Sequence, residues 1–301
     1  MYMKTVFLGT SSMVPTKRRN VTGIYTEHNG SSLLIDCGEG TQRQLNKAGI
    51  NRHRITCILI SHWHGDHVSG LMGLLQTMGN IPNPKTLHIV GPKGTKKHFN
   101  HLRNASASPI TMPVDVKEIR GDEENVFDDG VVSVDAYTVK HGVPCLGYVV
   151  KQHPKRKIKM EVLQQEGVPS GPHIKLLQEG KDMTYEGKMY DADTYTYIEE
   201  GPKVGFLLDT ALCDGVRRVM QNVKTVICES TFTSEHEDRA VKYNHMTAEQ
   251  VAKAANEEGI ENLFLTHFSQ RYPDTDVVLS EAKEYFENTV CASDFMEIIT
   301  E

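Results

Sequence analysis

A chain of 301 residues with 39% hydrophobic and 24% charged side chains is long enough for one large α/β domain with a sizeable core. Its net charge of −6 excludes wholesale attraction to polyanions, so such a partner needs a local basic patch, and no apolar run approaches the length of a membrane span. Six scattered cysteines, Cys37, Cys57, Cys145, Cys213, Cys228 and Cys291, have no close pairing and read as reduced core residues rather than a disulfide framework or a thiolate metal site.

The chain enters a strand almost at once, at Thr5-Val6-Phe7-Leu8, with no basic-then-apolar leader; a cytoplasmic setting is expected, and nuclear or organellar residence stays open. A basic loop follows, Pro15-Thr16-Lys17-Arg18-Arg19-Asn20. Strands near 22–26 and 32–36 flank the turn signal Asn29-Gly30 and predict a hairpin. After Asp36 a helix is expected to about Ala48, with Asp36 itself a ligand or a group that orients one.

The apolar, β-branched run Cys57-Ile58-Leu59-Ile60 reads as a buried strand, and Val68, Leu71, Leu74 and Leu75 recur at helical spacing through Met78. Between them lies Ser61-His62-Trp63-His64-Gly65-Asp66-His67. Three histidines and a carboxylate on so tight a turn cannot all reach one ion, because adjacent Asp66 and His67 point differently from His62 and His64. Two ions a few ångströms apart use them all, and the N/O donor set suits zinc, with manganese or iron as alternatives.

A strand at Leu87–Val90 and a helix from about Lys96 come next, then an alternating strand, Val131 to Val139, that runs into Lys140-His141-Gly142. Residues 151–200 differ in character. Lys151, Lys155, Arg156, Lys157 and Lys159 fall in a stretch without acids, followed by Val168-Pro169-Ser170-Gly171-Pro172 and a polar, Tyr-containing stretch. With few apolar positions for a core of its own, the segment reads as a protruding arm inserted in a single domain spanning 1–301. Three further strands then end in Asp209-Thr210, Glu229-Ser230 and Thr266-His267, with helices near 211–221, 247–258 and 274–287. The phrases Ile-Leu-Ile-Ser-His at 58–62 and Leu-Phe-Leu-Thr-His at 263–267 echo one another and suggest two similar halves, a sheet-on-sheet sandwich covered by helices.

Strand carboxyl ends are where chemistry collects in such sheets. His62, His141, Asp209 and His267 all stand there, so with His64, Asp66 and His67 the tally is five histidines and two aspartates. That matches two metals with three protein ligands each and a shared carboxylate. Two ions bracketing a water make hydroxide available near neutral pH and suit hydrolysis of a phosphodiester.

These residues resemble the metallo-β-lactamase superfamily and, more closely, its ribonuclease Z branch, which trims the 3′ trailer from precursor tRNA. The resemblance runs nearly end to end and rests on Phe7 to Ser12, Pro15 to Asn20, the 61–67 turn, His141-Gly142, Asp209-Thr210, Glu229-Ser230-Thr231, His245-Met246-Thr247 and Thr266-His267. It implies an α/β fold, the αββα sandwich of that superfamily, with an inserted flexible arm. It also implies two Zn2+ per subunit, one held by His62, His64 and His141, the other by Asp66, His67 and His267, with Asp209 bridging. Asp66 then takes the proton of the attacking water, and His245, supported by Glu229, protonates the leaving ribose oxygen. Met246 stands where the family commonly has Ser. The arm, with Gly171-Pro172, becomes a tRNA clamp often acting across a homodimer, its basic groups at 151–159 holding phosphates of the RNA; Lys17, Arg18 and Arg19 are further candidate RNA contacts, with a plain solvated loop as the alternative. A small-substrate phosphodiesterase or other hydrolase of the same fold is the alternative enzyme, and a metal-stabilised but silent RNA-binding module the alternative outside catalysis.

Overall fold

The computed structural model describes residues 2–301. The strands, in chain order, are β1 (Met3–Gly9), β2 (Gly23–His28), β3 (Ser31–Ile35), β4 (Cys57–Leu59), β5 (Leu87–Pro92), β6 (Val114–Ile119), β7 (Glu123–Asp128), β8 (Val132–Val139), β9 (Cys145–Gln152), β10 (Lys155–Ile158), β11 (Met183–Tyr185), β12 (Lys188–Tyr190), β13 (Thr196–Glu199), β14 (Lys203–Leu207), β15 (Thr225–Glu229), β16 (Asn262–Thr266), β17 (Thr289–Cys291) and β18 (Glu297–Thr300). Two seven-stranded sheets form, in the orders β18-β1-β2-β3-β4-β5-β6 and β17-β16-β15-β14-β9-β8-β7.

Burial shows why two sheets face each other. Alternate residues of the inner faces, such as Phe7, Ile24, Leu33, Leu59, Val134, Tyr148, Phe206 and Ile227, share one core between the layers. The opposite faces pack beneath helices: Leu45, Leu71, Leu74, Leu75 and Phe99 cover the first sheet, and Val216, Val219, Val251, Ala255 and Val278 the second. This is the expected helix-sheet-sheet-helix sandwich.

The halves correspond strand for strand. In each sheet antiparallel pairing gives way to parallel pairing at the fourth strand, β3 in one and β14 in the other. Both of these strands run out into an aspartate, Asp36 and Asp209. By this alignment the counterpart of β4 is β15, which ends in Glu229, so the echoing phrases at 58–62 and 263–267 do not occupy equivalent strands.

The Asn29-Gly30 turn has φ of 44° and 91°, the left-handed pair that a tight hairpin needs. The helix expected through 68–78 is instead two pieces, Gly65–Val68 and Leu71–Met78. The break has a tertiary cause. The Gly70 amide donates to the Cys37 carbonyl at 2.9 Å, and the Cys37 amide donates to the His67 carbonyl at 2.7 Å, so the loop after β3 takes over part of the helical ladder. A Cβ at Gly70 would lie 2.1 Å from the Gly38 carbonyl oxygen, an approach open only to glycine.

Residues 153–202 join the antiparallel neighbours β9 and β14. The expectation that this segment lacks a core is wrong. Leu163, Val168, Leu177, Met183, Tyr190 and Ala192 bury against one another, flanked by Ile158, Ile174, Tyr185 and Tyr195. Pairing of β10 with β13 and of β11 with β12 collects apolar residues that are thinly spread along the chain. The arm is thus a small folded unit of its own within the insertion.

Candidate metal centre

The centre forms along the edge where β3, β4, β8, β14 and β16 end. Two of its residues, Asp36 and His267, have φ of 56° and 60°, a left-handed backbone uncommon outside glycine that tends to cluster at functional sites. The short helix Gly65–Val68 begins at His64 and brings Asp66 and His67 back over the end of β4.

Donor atoms converge in two groups. In the first, His62 Nε2 lies 3.0 Å from His64 Nδ1, and His141 Nε2 lies 3.3 Å from that same Nδ1. Asp209 Oδ2 stands 3.7 Å from His62 Nε2 and 3.8 Å from His141 Nε2. In the second, His67 Nε2 and His267 Nε2 lie 3.4 and 3.7 Å from Asp66 Oδ2, and 3.2 and 3.0 Å from Asp209 Oδ1. Such spacings are near the edge, about 3.3 Å, of a tetrahedron with metal–nitrogen bonds of about 2.0–2.1 Å. Asp209 offers one oxygen to each group.

Whether the residues fit a cation is answered by their unmet bonding. His67 Nε2, His267 Nε2 and Asp209 Oδ1 are buried and have no hydrogen-bond partner among the described residues. Buried polar atoms pointed at a common space need either hydrogen-bond partners or an ion. Electrostatics agrees. Burial alone would raise Asp209, yet the charges of His267, His67 and His62 hold it well below the carboxylate range. Burial opposes charge on His267, yet Asp209 and Asp66 raise it to about 9, and His67 is raised in the same way by Asp209 and Asp36. Burial, reinforced by the charge of His67, drives His62 well below the histidine range, leaving a neutral donor. The carboxylates make a field that favours positive charge, which a metal ion answers.

The ligand tautomers are set from behind. Asp36, fully buried, accepts from His67 Nδ1 at 2.6 Å, from Ser61 N at 2.7 Å and from Ser61 Oγ at 2.6 Å. Ser61 Oγ in turn meets His62 Nδ1 at 3.0 Å. One carboxylate therefore turns the Nε2 lone pair of a histidine in each group toward the centre, directly for His67 and through Ser61 for His62. Of the two roles open to Asp36 in the sequence, the structure supports the orienting one. His141 Nδ1 donates to the Asn244 carbonyl at 3.1 Å, and His267 Nδ1 lies 3.0 Å from Thr231 Oγ1. Ser61 and Thr231 stand in the sequence only as members of the 61–67 turn and of Glu229-Ser230-Thr231, with no role of their own.

His245 stands beside the centre, its Nδ1 2.7 Å from Glu229 Oε1 and its Nε2 3.9 Å from Asp209 Oδ2. Glu229 is fully buried and also accepts from the Thr210 and Thr231 amides and from Thr231 Oγ1. Burial would lower His245, but the charge of Glu229, then that of Asp209, raises it above the usual range. Asp209, His245 and His267 also form a set close enough to hold an ion. Met246 is fully buried in the outer core of the second sheet.

The residues expected to meet RNA are placed unevenly. Lys17 and Arg18 are exposed, whereas Arg19 is buried and donates to the Tyr272 carbonyl at 2.5 Å, with its guanidinium over Phe268. In the arm, Lys151 pairs with Asp135, Arg156 with Asp193 and Lys157 with Glu199, while Lys159 donates to the Thr194 carbonyl. Lys155 is exposed. Gly171 and Pro172 open a short turn in which His173 stacks on Tyr185.

Known proteins of three kinds are similar to this chain. Ribonuclease Z of Ignicoccus hospitalis is 35% identical over 98% of this chain and 97% of its own length. Human tRNase Z, short form, superposes with a TM-score of 0.71 at 26% identity, covering 98% of both chains. The metallo-β-lactamase fold protein YhfI from Bacillus subtilis gives the same TM-score at 18% identity, over 99% of both. A family profile described as Anti-Pycsar protein Apyc1 matches residues 3–117.

Proposed function

The chain belongs to the ribonuclease Z family and has the metallo-β-lactamase fold, and from that premise we propose that it is a zinc-dependent endoribonuclease that removes the 3′ trailer from precursor tRNA. The products are a 3′-hydroxyl on the tRNA and a 5′-phosphate on the trailer. The observation that carries this reading is similarity to ribonuclease Z over nearly the whole chain, arm included.

Two zinc ions per subunit fit the donors, one at His62, His64 and His141, the other at Asp66, His67 and His267, with Asp209 shared. When ionised, Asp36, Asp66, Asp209 and Glu229 carry four negative charges around this centre, which two divalent ions balance. Bound there, the ions supply an acidified water and neutralise charge on the phosphate. Asp66 is the proton acceptor; its Oδ2 also takes the Met13 amide at 2.8 Å, which fixes the carboxylate against the loop that follows β1. His245, held through Nδ1 by Glu229, presents its protonated Nε2 to the leaving 3′ oxygen of the tRNA.

The arm serves as a clamp for folded RNA. Its root is at Lys203, which opens the strand that runs out into Asp209 six residues later, so it leaves from the end of the sheet about 20 Å from the metal-facing one. A clamp so placed suits a long substrate or a site on a partner subunit, and a cytoplasmic homodimer belongs to the same reading. Among the described residues no helix is long and apolar enough to cross a membrane.

Incubating the zinc-loaded protein with a 3′-extended tRNA transcript and mapping both ends of the cut tests the proposal. Cleavage elsewhere than at the trailer junction, or none, sinks it. Asp66→Ala is expected to abolish turnover. Deleting the arm should lower tRNA cleavage far more than hydrolysis of bis(p-nitrophenyl) phosphate; equal losses would favour the small-substrate hydrolase.

A further inference from the structure

Positive charge free of ion pairs is concentrated away from the arm. The arm is not basic as a whole, since residues 151–200 hold eight Lys and Arg against nine Asp and Glu. Six of those eight cations pair with carboxylates, among them Lys175 and Lys181 with Glu179 and Lys188 with Glu166. Residues 67–114, by contrast, contain no Asp or Glu but hold Lys85, Lys93, Lys96, Lys97 and Arg103. All five are exposed or half-buried, and none makes an ion pair among the described residues.

Topology sets this patch at the metal centre. β4 and β5 are parallel, so the carboxyl end of β5, where Lys93 lies, opens on the same edge as His62 and His64. The helix Thr95–Arg103 starts there with Thr95 and Phe99 facing inward and Lys96, Lys97 and His101 outward. Its contact with the histidine turn is direct: Trp63 Nε1 donates to Thr95 Oγ1 at 2.8 Å, and exposed His98 stacks on the Trp63 ring at 5.3 Å. Glu118 accepts from the Lys96 amide and pairs with Arg120, and the Lys96 side chain makes no ion pair among the described residues.

The geometry points to a phosphate-binding track formed by Lys93, Lys96 and Lys97, which holds the sugar-phosphate backbone of the RNA beside the cut. It rests on the reading of the substrate as RNA. The track lies at the metal-facing edge of the first sheet, whereas the arm is rooted at the far end of the second, so the two hold different parts of a long RNA. In a chain of net charge −6 a track of free lysines attracts a polyanion only locally, which orients the strand across the metals rather than gathering RNA at random. Contacts of this kind read backbone charge and shape, not base identity.

The test is a triple variant, Lys93→Gln, Lys96→Gln and Lys97→Gln, with the matching triple Lys→Arg as control, assayed on a 3′-extended tRNA transcript from 50 to 200 mM salt. Each phosphate contact contributes about 0.7–0.9 to the slope of log affinity against log salt. Loss of all three should cut the slope by about 2, raise KM at least several-fold, leave kcat near its starting value and spare bis(p-nitrophenyl) phosphate hydrolysis. The arginine variant should keep the parent slope. Parent protein that binds and cuts the transcript, with a glutamine variant of unchanged slope and KM, overturns the track alone. Parent protein that neither binds nor cuts it overturns the RNA reading and the track with it.

Discussion

Replacing Asp36 by Asn tests the geometry of the centre without touching a proposed ligand. The carboxylate receives three protein donors, Ser61 N, Ser61 Oγ and His67 Nδ1, at 2.6–2.7 Å, and is fully buried. An amide of the same shape offers one acceptor oxygen and an NH2 group. If the oxygen faces Ser61 N, the NH2 faces His67, which must move its proton from Nδ1 to Nε2 and lose the lone pair aimed at the centre. If the oxygen faces His67, two donors meet at Ser61 N, a buried mismatch costing about 1–3 kcal/mol. Removing a group that orients a histidine ligand typically weakens metal binding about 10–100-fold, or about 1.4–2.7 kcal/mol. Metal-free Asp36→Asn protein titrated with zinc against a chromophoric chelator should show that loss, largest for the ion beside His67. A variant that binds two zinc ions with parental affinity would refute the argument that Asp36 sets the tautomers.

Four other outcomes are expected. His245→Ala should slow tRNA cleavage by about 10²–10⁴-fold while elemental analysis finds zinc unchanged; loss of zinc would make His245 a ligand instead. Because Glu229 raises His245 above its usual pKa, kcat should fall on the alkaline side as His245 loses its proton, and Glu229→Gln should move that limb to lower pH, where Asp209 alone opposes burial; an unmoved limb in a pH–rate profile assigns it to another group. Leu163→Ala, in the core of the arm, should loosen that unit by about 2–5 kcal/mol, read as faster proteolytic nicking within 151–200 with bis(p-nitrophenyl) phosphate hydrolysis unchanged. Cys57, Cys145 and Cys228 are buried with thiols pushed well up, and burial pushes Cys37 to about 12, so mass spectrometry after native alkylation should find none of the four modified.

Much of this protein was legible in its sequence because its signals are local. Short apolar runs ending in or near His, Asp or Glu declare strands and place chemistry at their ends, and the 61–67 turn concentrates four metal donors at the end of a single strand. The convergence of His141, Asp209 and His267 on that turn could be inferred from strand polarity alone.

What the tertiary structure decided are the facts that depend on pairing between distant segments. Arg19 reads as one of three loop cations, but only the fold shows its guanidinium turned onto the Tyr272 carbonyl. The arm's cations read as a basic cluster until β13 brings Glu199 beside Lys157. The arm's core is invisible to periodicity because its residues come from separate helices and hairpins. The tautomers at His62 and His67 depend on Asp36, delivered by a neighbouring strand. Periodicity reports which face of one element is buried, whereas charge balance and proton position are set by neighbours whose distance along the chain carries no such signal.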